Sequence, residues 1–279
     1  MTNFLTLDIE EWFHANYSGM EMPSNVGETA LEALVDRLIA LCAERSVRTT
    51  CFVLGSVARN KPAVVRKLHA AGHEIASHGC GHELVYSIGR ERFAEDLRES
   101  LDILEGITGE KVLGFRAPSF SVTQEILPWY YDTLEEAGLT YSSSVFPGET
   151  FLYGIPGFPD RIHRPVVAGK RRVVVELPMP VVRCAGKEIG LYLRLLPAWA
   201  INRRIAKDNR AGKPVILYVH PREIDPDQPR LTLSPLRGLI HYWGVRSCET
   251  KLRAIVSTAT FGRMGDYVAD FRDESVPGV

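Results

Sequence analysis

Two imidazoles separated by three residues, His78 and His82 in Ser77-His78-Gly79-Cys80-Gly81-His82, can close on one divalent metal. A chain with eight histidines produces such a pair by chance often enough, so its weight comes from its company. Asp8, Glu10, Arg116 and His220 each stand at the end of a run of strand-forming residues. Residues two apart on a strand share a face, so Asp8 and Glu10 point one way while Leu7 and Ile9 enter a packing layer. Two carboxylates so placed repel unless a cation neutralises them. The histidine pair offers a metal and Arg116 a guanidinium. Taken alone, Asp8-Ile9-Glu10-Glu11 also fits a solvated acidic turn after a strand. Glycines at 79 and 81 put the histidines on a tight turn off a strand and not on a helix. Gly79 also stands where the His-Glu-x-x-His motif of zinc proteases needs its glutamate. One carboxylate with two imidazoles leaves positions open for water and substrate, the layout of a catalytic zinc rather than a structural one. Cys80, between the two histidines, reads as a small buried thiol.

Such side chains meet only if the elements carrying them share an edge, and in parallel α/β folds that is the carboxyl edge of the sheet or barrel. Strand-like and helix-like runs alternate along the chain as βα units require. Strands are expected over residues 4–10, 49–54, 73–78, 112–116, 140–145, 172–178 and 214–220, and helices over 28–44, 62–71, 91–105, 126–137, about 196–211 and 247–257. Leu31, Leu34, Val35, Leu38, Leu41 and Cys42 form a stripe at helical period, and Pro62 with Gly72 marks the start and stop of the next helix. Residues 147–170, rich in Gly and Pro, read as a long loop that either covers a site or is a solvated excursion. No repeat, low-complexity tract or linker divides the chain, so one domain is the default.

With 279 residues the chain can bury a large core, and 45% hydrophobic with 24% charged residues is ordinary for a globular protein. The 33 Lys and Arg against 34 Asp and Glu give a formal charge of -1. No general electrostatic case for nucleic acid or an anionic membrane follows, only room for local patches. Cys42, Cys51, Cys80, Cys184 and Cys248 are odd in number and irregular in spacing, which points to reduced thiols and not to a disulfide framework. The first eight residues lack the basic start and apolar run of a secretory signal, and no apolar run approaches the ~20 residues of a spanning helix. A cytoplasmic location is therefore expected, and a peripheral place at the inner membrane fits equally. No motif speaks to oligomeric state.

Taken in order, Thr6-Leu7-Asp8-Ile9-Glu10, His78-Gly79-Cys80-Gly81-His82, Arg116-Ala117-Pro118-Ser119-Phe120 and Leu217-Tyr218-Val219-His220 resemble four motifs of the polysaccharide deacetylases with NodB homology, carbohydrate esterase family four. More narrowly, Asp8-Ile9-Glu10-Glu11-Trp12-Phe13, Tyr141-Ser142-Ser143-Ser144-Val145-Phe146-Pro147, His220-Pro221-Arg222-Glu223-Ile224-Asp225-Pro226 and His241-Tyr242-Trp243-Gly244 resemble a bacterial branch. That branch accompanies exopolysaccharide and exosortase gene clusters and groups with deacetylases similar to allantoinase and a peptidoglycan deacetylase. The resemblance extends over roughly residues 3–268. It implies an α/β fold, a distorted (β/α) barrel forming a single domain over 1–279, with a family-specific C-terminal extension from about residue 221.

The resemblance further implies a hydrolase that removes the N-acetyl group from an amino sugar in a glycan or lipid-linked oligosaccharide. Asp8 would be its general base, Glu10, His78 and His82 the ligands of Zn2+ or another divalent transition metal, Arg116 the partner that orients Asp8, and His220 the acid that protonates the leaving amine. A metal lowers the pKa of its water toward ~7, and imidazole is suited to donating a proton near neutrality. Trp12, Pro118, Phe120 and Tyr218 are placed at the substrate, where apolar faces could stack on sugar rings. His14, His73 and His241 are assigned to packing. The chain departs from the commoner family pattern twice. Ile9 stands where a second, metal-binding aspartate is usual, which leaves Asp8 and Glu10 both open as ligand. Ser142 or Ser143 stands where an aspartate is common, so no acidic partner for His220 is provided there. Two other readings fit these residues: a metal-free, allantoinase-like amide hydrolase, and a carbohydrate-binding protein without turnover.

Overall fold

A computed structural model describes residues 1–14, 29–150, 153–184, 187–190, 193–231 and 233–273. Its first strand, β1 (Phe4–Ile9), is buried along its whole length, as a strand covered on both faces must be. There follow β2 (Thr50–Val53), β3 (Glu74–Ser77), β4 (Gly114–Phe115), β5 (Tyr141–Ser142), β6 (Val166–Val167), β7 (Lys170–Arg171), β8 (Val175–Glu176), β9 (Val181–Cys184), β10 (Lys187–Gly190) and β11 (Ile216–Val219). Seven of them form one parallel sheet in the order β11-β1-β2-β3-β4-β5-β8. β6 with β7 and β9 with β10 are separate antiparallel hairpins. The helices are α1 (Leu31–Ala43), α2 (Gly55–Asn60), α3 (Pro62–Ala70), α4 (Val85–Thr108), α5 (Leu127–Glu136), α6 (Ala198–Arg210), α7 (Pro235–Tyr242), α8 (Val245–Val256) and α9 (Met264–Ala269).

Alternation along β1 divides the core in two. Leu5, Leu7 and Ile9 pack with the α1 stripe and with Val64, Val65 and Leu68 of α3 in the layer between sheet and helices. Phe4 joins Phe52, Ala76, Tyr141 and Ile216 in a second cluster inside the curl of the sheet. The result is a half-barrel of seven parallel strands wrapped by helices, the distorted (β/α) barrel expected from the sequence. α4 runs longer than the expected 91–105 and breaks at Gly89, whose φ of +76° suits glycine. α2, α7 and α9 were not legible, because helices of six to eight residues barely complete two turns of a periodic pattern. The cysteines Cys42, Cys51, Cys80 and Cys248 are free and buried.

At the foot of β3, buried His73 accepts the Thr49 backbone N–H on Nδ1 at 3.1 Å. Burial, reinforced by Arg48, pushes this imidazole down to about 4. The unfolded chain therefore takes up a proton near pH 6.5 that the folded chain refuses until about pH 4. Stability is full above pH 6.5 and falls through that window, by about 3 kcal/mol for this group. We expect the urea midpoint to drop between pH 6.5 and 4, and to drop less in His73→Asn, whose amide oxygen can accept the same N–H without titrating. Identical pH slopes in the two proteins would remove His73 as the cause.

Candidate active site

The turn carrying the two histidines is built around Asp96 of α4. Its carboxylate accepts the backbone N–H groups of Cys80 (2.8 Å) and Gly81 (2.9 Å). Gly79 is obligatory on two counts: its φ is +75°, and a Cβ there would stand 2.7 Å from Asp96 Oδ2. The Gly79 and Cys80 carbonyls accept the first two N–H groups of α2. His78 Nδ1 donates to the Arg116 carbonyl at 2.8 Å, which turns its Nε2 lone pair toward the carboxylates. Arg116-Ala117-Pro118-Ser119-Phe120 turns with two consecutive non-glycine residues at positive φ, Ser119 (51°) and Phe120 (52°), local strain of the kind that concentrates at functional sites.

All six residues singled out for chemistry meet at the carboxyl edge. Glu10 Oε2 lies 2.7 Å from His82 Nε2 and 3.9 Å from His78 Nε2, and candidate ligand atoms of these three side chains all fall within 4.8 Å of one another. His220 Nε2 is 3.5 Å from Glu10 Oε1 and 3.8 Å from Asp8 Oδ2. Arg116, fully buried, donates from Nη1 to Asp8 Oδ1 (2.6 Å) and Thr6 Oγ1 (2.8 Å), from Nε to the Ser143 carbonyl (3.1 Å) and from Nη2 to Ser143 Oγ (3.1 Å). Its guanidinium lies over the Phe52 ring at 4.0 Å. Thr6 and Ser143 spend their own hydroxyl hydrogens on the carbonyls of Leu217 and Leu177, so their lone pairs face the guanidinium.

Burial sets the electrostatics. It alone would raise the Glu10 carboxyl, but His82, Arg222 and His220 outweigh it and hold the group well below its ordinary value. Burial pushes His78 down to about 4 against the pull of Asp8, leaving a neutral imidazole at neutral pH, the form that binds metal. The donor set fits a divalent transition metal. Glu10 Oε2 is buried and, despite its closeness to His82, receives no hydrogen bond of good geometry.

Among the aromatic candidates, Phe120 and Tyr218 pack edge to face at 5.3 Å, and Tyr218 in turn meets His220 at 5.7 Å. Pro118 is buried beside the 78–82 turn. Trp12 is half-buried in the short 3-10 turn Trp12–His14, its ring edge-on to Phe13. His14, assigned to packing, stacks on the His82 ring at 5.7 Å, and burial pushes it down to about 4.

Two polar partners escaped the sequence. Arg222 forms an ion pair with Glu10 Oε1. Glu223 supplies His220 with an acidic neighbour: Oε2 accepts the His220 backbone N–H at 3.0 Å and lies 3.4 Å from its Nδ1, while Oε1 receives Arg194 Nε at 2.5 Å. Burial pushes the Glu223 carboxyl up, yet His220 and Arg194 together hold it well below the carboxylate range. The signal was proximity, since both residues follow His220 within three positions in the 3-10 turn Pro221–Ile224.

Residues 25–142 match the family model described as polysaccharide deacetylase, and residues 143–269 match a domain of unknown function, DUF3473. A peptidoglycan deacetylase-like protein, FGM2, of Gibberella zeae is 26% identical over 146 residues, 52% of this chain and 40% of that protein. A peptidoglycan deacetylase of Helicobacter pylori is 27% identical over 117 residues, 40% of each chain. The chain thus spans less than half the length of both relatives. In three dimensions PuuE allantoinase superposes with a TM-score of 0.60 at 18% identity, covering 96% of this chain and 89% of that one, a likeness of fold.

Proposed function

The chain carries a polysaccharide deacetylase domain, and from that premise we propose that it is a metal-dependent hydrolase removing N-acetyl groups from an amino sugar in a polysaccharide or lipid-linked oligosaccharide. Water and the amide would give acetate and a free amine. The observation that carries the reading is the convergence of a metal-type triad, Glu10, His78 and His82, with a carboxylate and an imidazole outside it, Asp8 Oδ2 and His220 Nε2, that stand 3.8 Å apart beside Glu10.

Glu10 rather than Asp8 is the carboxylate ligand in this proposal, because Asp8 Oδ1 is committed to Arg116 while Glu10 Oε2 faces the imidazoles. A divalent ion held there, Zn2+ or another transition metal, would polarise the amide oxygen and ease deprotonation of water. Asp8 accepts the proton of the attacking water on Oδ2, and Arg116, itself positioned by Thr6, holds that carboxylate in place. His220 delivers a proton from Nε2 to the departing nitrogen, its ring oriented by Glu223 and, through it, by Arg194. Phe120 and Tyr218 offer apolar edges to a sugar ring, with Trp12 and Pro118 flanking the cleft. We treat 1–279 as one unit, because one sheet takes β2–β5 from the first separately matched stretch and β8 and β11 from the second, with β1 between β11 and β2. Action on a cytoplasmic precursor of an exopolysaccharide completes the proposal.

One observation favours the metal-free alternative: Arg222 already compensates Glu10. The deciding experiment measures acetate released from N-acetylglucosamine oligomers. Activity lost with a chelator and restored by zinc is expected, and full activity in metal-free protein would favour the allantoinase-like reading. Oligomer binding with no more acetate than Asp8→Asn releases would leave a carbohydrate-binding protein. Glu10→Gln should weaken zinc binding, followed by direct titration, by more than about 100-fold, beyond what loss of a supporting outer residue costs. Unchanged affinity would remove Glu10 from the ligand set.

A further inference from the structure

α6 has two unlike faces. Ile201 and Ile205 are buried, and the helix packs on α8. Trp199, Arg203, Lys207 and Arg210 follow one another by four, four and three residues, which places them in one arc of the opposite face, and all four are exposed. The nearby acids are engaged elsewhere, Asp208 by Arg204 and Asp160 by Lys213, and the three exposed cations form no ion pair among the described residues.

An apolar edge adjoins the Trp199 end of this stripe. Arg194 Nη1 donates to the carbonyls of His241 (2.7 Å) and Trp243 (3.0 Å), and Lys251 Nζ to the Arg194 carbonyl (2.7 Å). These bonds tie the approach to α6 to the end of α7. Leu195, Leu239 and Trp243 are exposed there, Trp243 by 55% and Trp199 beside them by 70%. The sequence is charge-segregated in the same region: residues 183–253 hold fourteen Lys and Arg against six Asp and Glu in a chain whose formal charge is -1.

We propose that this wall is a docking surface for a bilayer rich in anionic lipids. Trp199, Trp243, Leu195 and Leu239 enter the headgroup region, and Arg203, Lys207 and Arg210 lie along the lipid phosphates. Nucleic acid would reward the cations but not two exposed leucines. The surface reaches the site. At one end of α6 Asn209 bonds Asn3 at the foot of β1, and beyond the other end Arg194 bonds Glu223 beside His220. Docking along α6 therefore lays the barrel on its side, with the carboxyl edge beside the membrane at the Trp199 end.

The test is co-sedimentation of the full chain with vesicles of phosphatidylcholine alone and with about one third phosphatidylglycerol. Binding only to the anionic vesicles is expected. The variant combining Arg203→Gln, Lys207→Gln and Arg210→Gln should bind about a hundredfold more weakly, and the variant combining Trp199→Ser and Trp243→Ser should also lose affinity. These side chains are exposed, so the fold does not depend on them. Absence of binding, or binding that neither variant weakens, overturns the proposal. Duplex DNA bound through the same three cations by a protein that ignores vesicles would replace the bilayer with nucleic acid.

Discussion

Asp8→Asn lowers the turnover number for acetate release by about 10²–10⁴-fold, the usual worth of a positioned general base, and leaves zinc affinity near the wild-type value. The asparagine oxygen can still accept the Arg116 Nη1 hydrogen bond, and the Glu10, His78 and His82 cluster does not include Asp8. What disappears is the Oδ2 basicity on the flank facing His220, 3.8 Å away. The split between the readouts is the discriminating feature. A fall in kcat with metal retained assigns Asp8 to proton transfer. Loss of metal in Asp8→Asn would make Asp8 a ligand and reopen the choice between the two carboxylates.

Arg116→Met is expected to cost about 3–5 kcal/mol of folding stability, read from urea unfolding in metal-free protein, because it strands a buried carboxylate. Asp8 and Arg116 are both nearly inaccessible, 2% and 0% exposed, so solvent cannot take over from the lost guanidinium. Thr6 and Ser143 lose their donor in the same change. Adding Asp8→Asn to Arg116→Met removes the orphaned charge, and the double variant should recover at least about 1 kcal/mol relative to the sum of the single losses. Strict additivity would mean that the pair does not act as a unit, and that Arg116 serves chiefly to fill space between Phe52 and the strand ends.

The zinc titration of Glu10→Gln completes this set, since it separates the neighbouring carboxylate by a readout other than turnover. Glu10 and Asp8 are two residues apart and share a face, yet their surroundings divide them: a guanidinium holds one, two imidazoles face the other.

Much of this molecule was readable in the one-dimensional pattern. The alternation Phe4, Thr6, Asp8 against Leu5, Leu7, Ile9 names a strand with one face toward helices and one toward a site, and β1 has that form. The stripe of α1, the Pro62 start of α3 and the glycines around Cys80 likewise carry their geometry locally, through periodicity, a fixed φ or the absence of a Cβ. Placing Asp8, Glu10, His78, Arg116 and His220 at strand ends was enough to expect one meeting point, since parallel strands bring their carboxyl ends to the same edge.

Partner choice across that edge was decided only in three dimensions. Nothing in the order of residues says that Arg222 reaches Glu10, 212 positions away, or that Asp96 on α4 pins the histidine turn. Nor does it say that Arg194 joins Glu223 and the end of α7 while Trp199 stays outside. Local pattern determines which face a side chain occupies, because backbone stereochemistry is periodic. Which charge lies opposite it depends on the curl of the sheet and on the packing of helices against it, and no short-range rule encodes those.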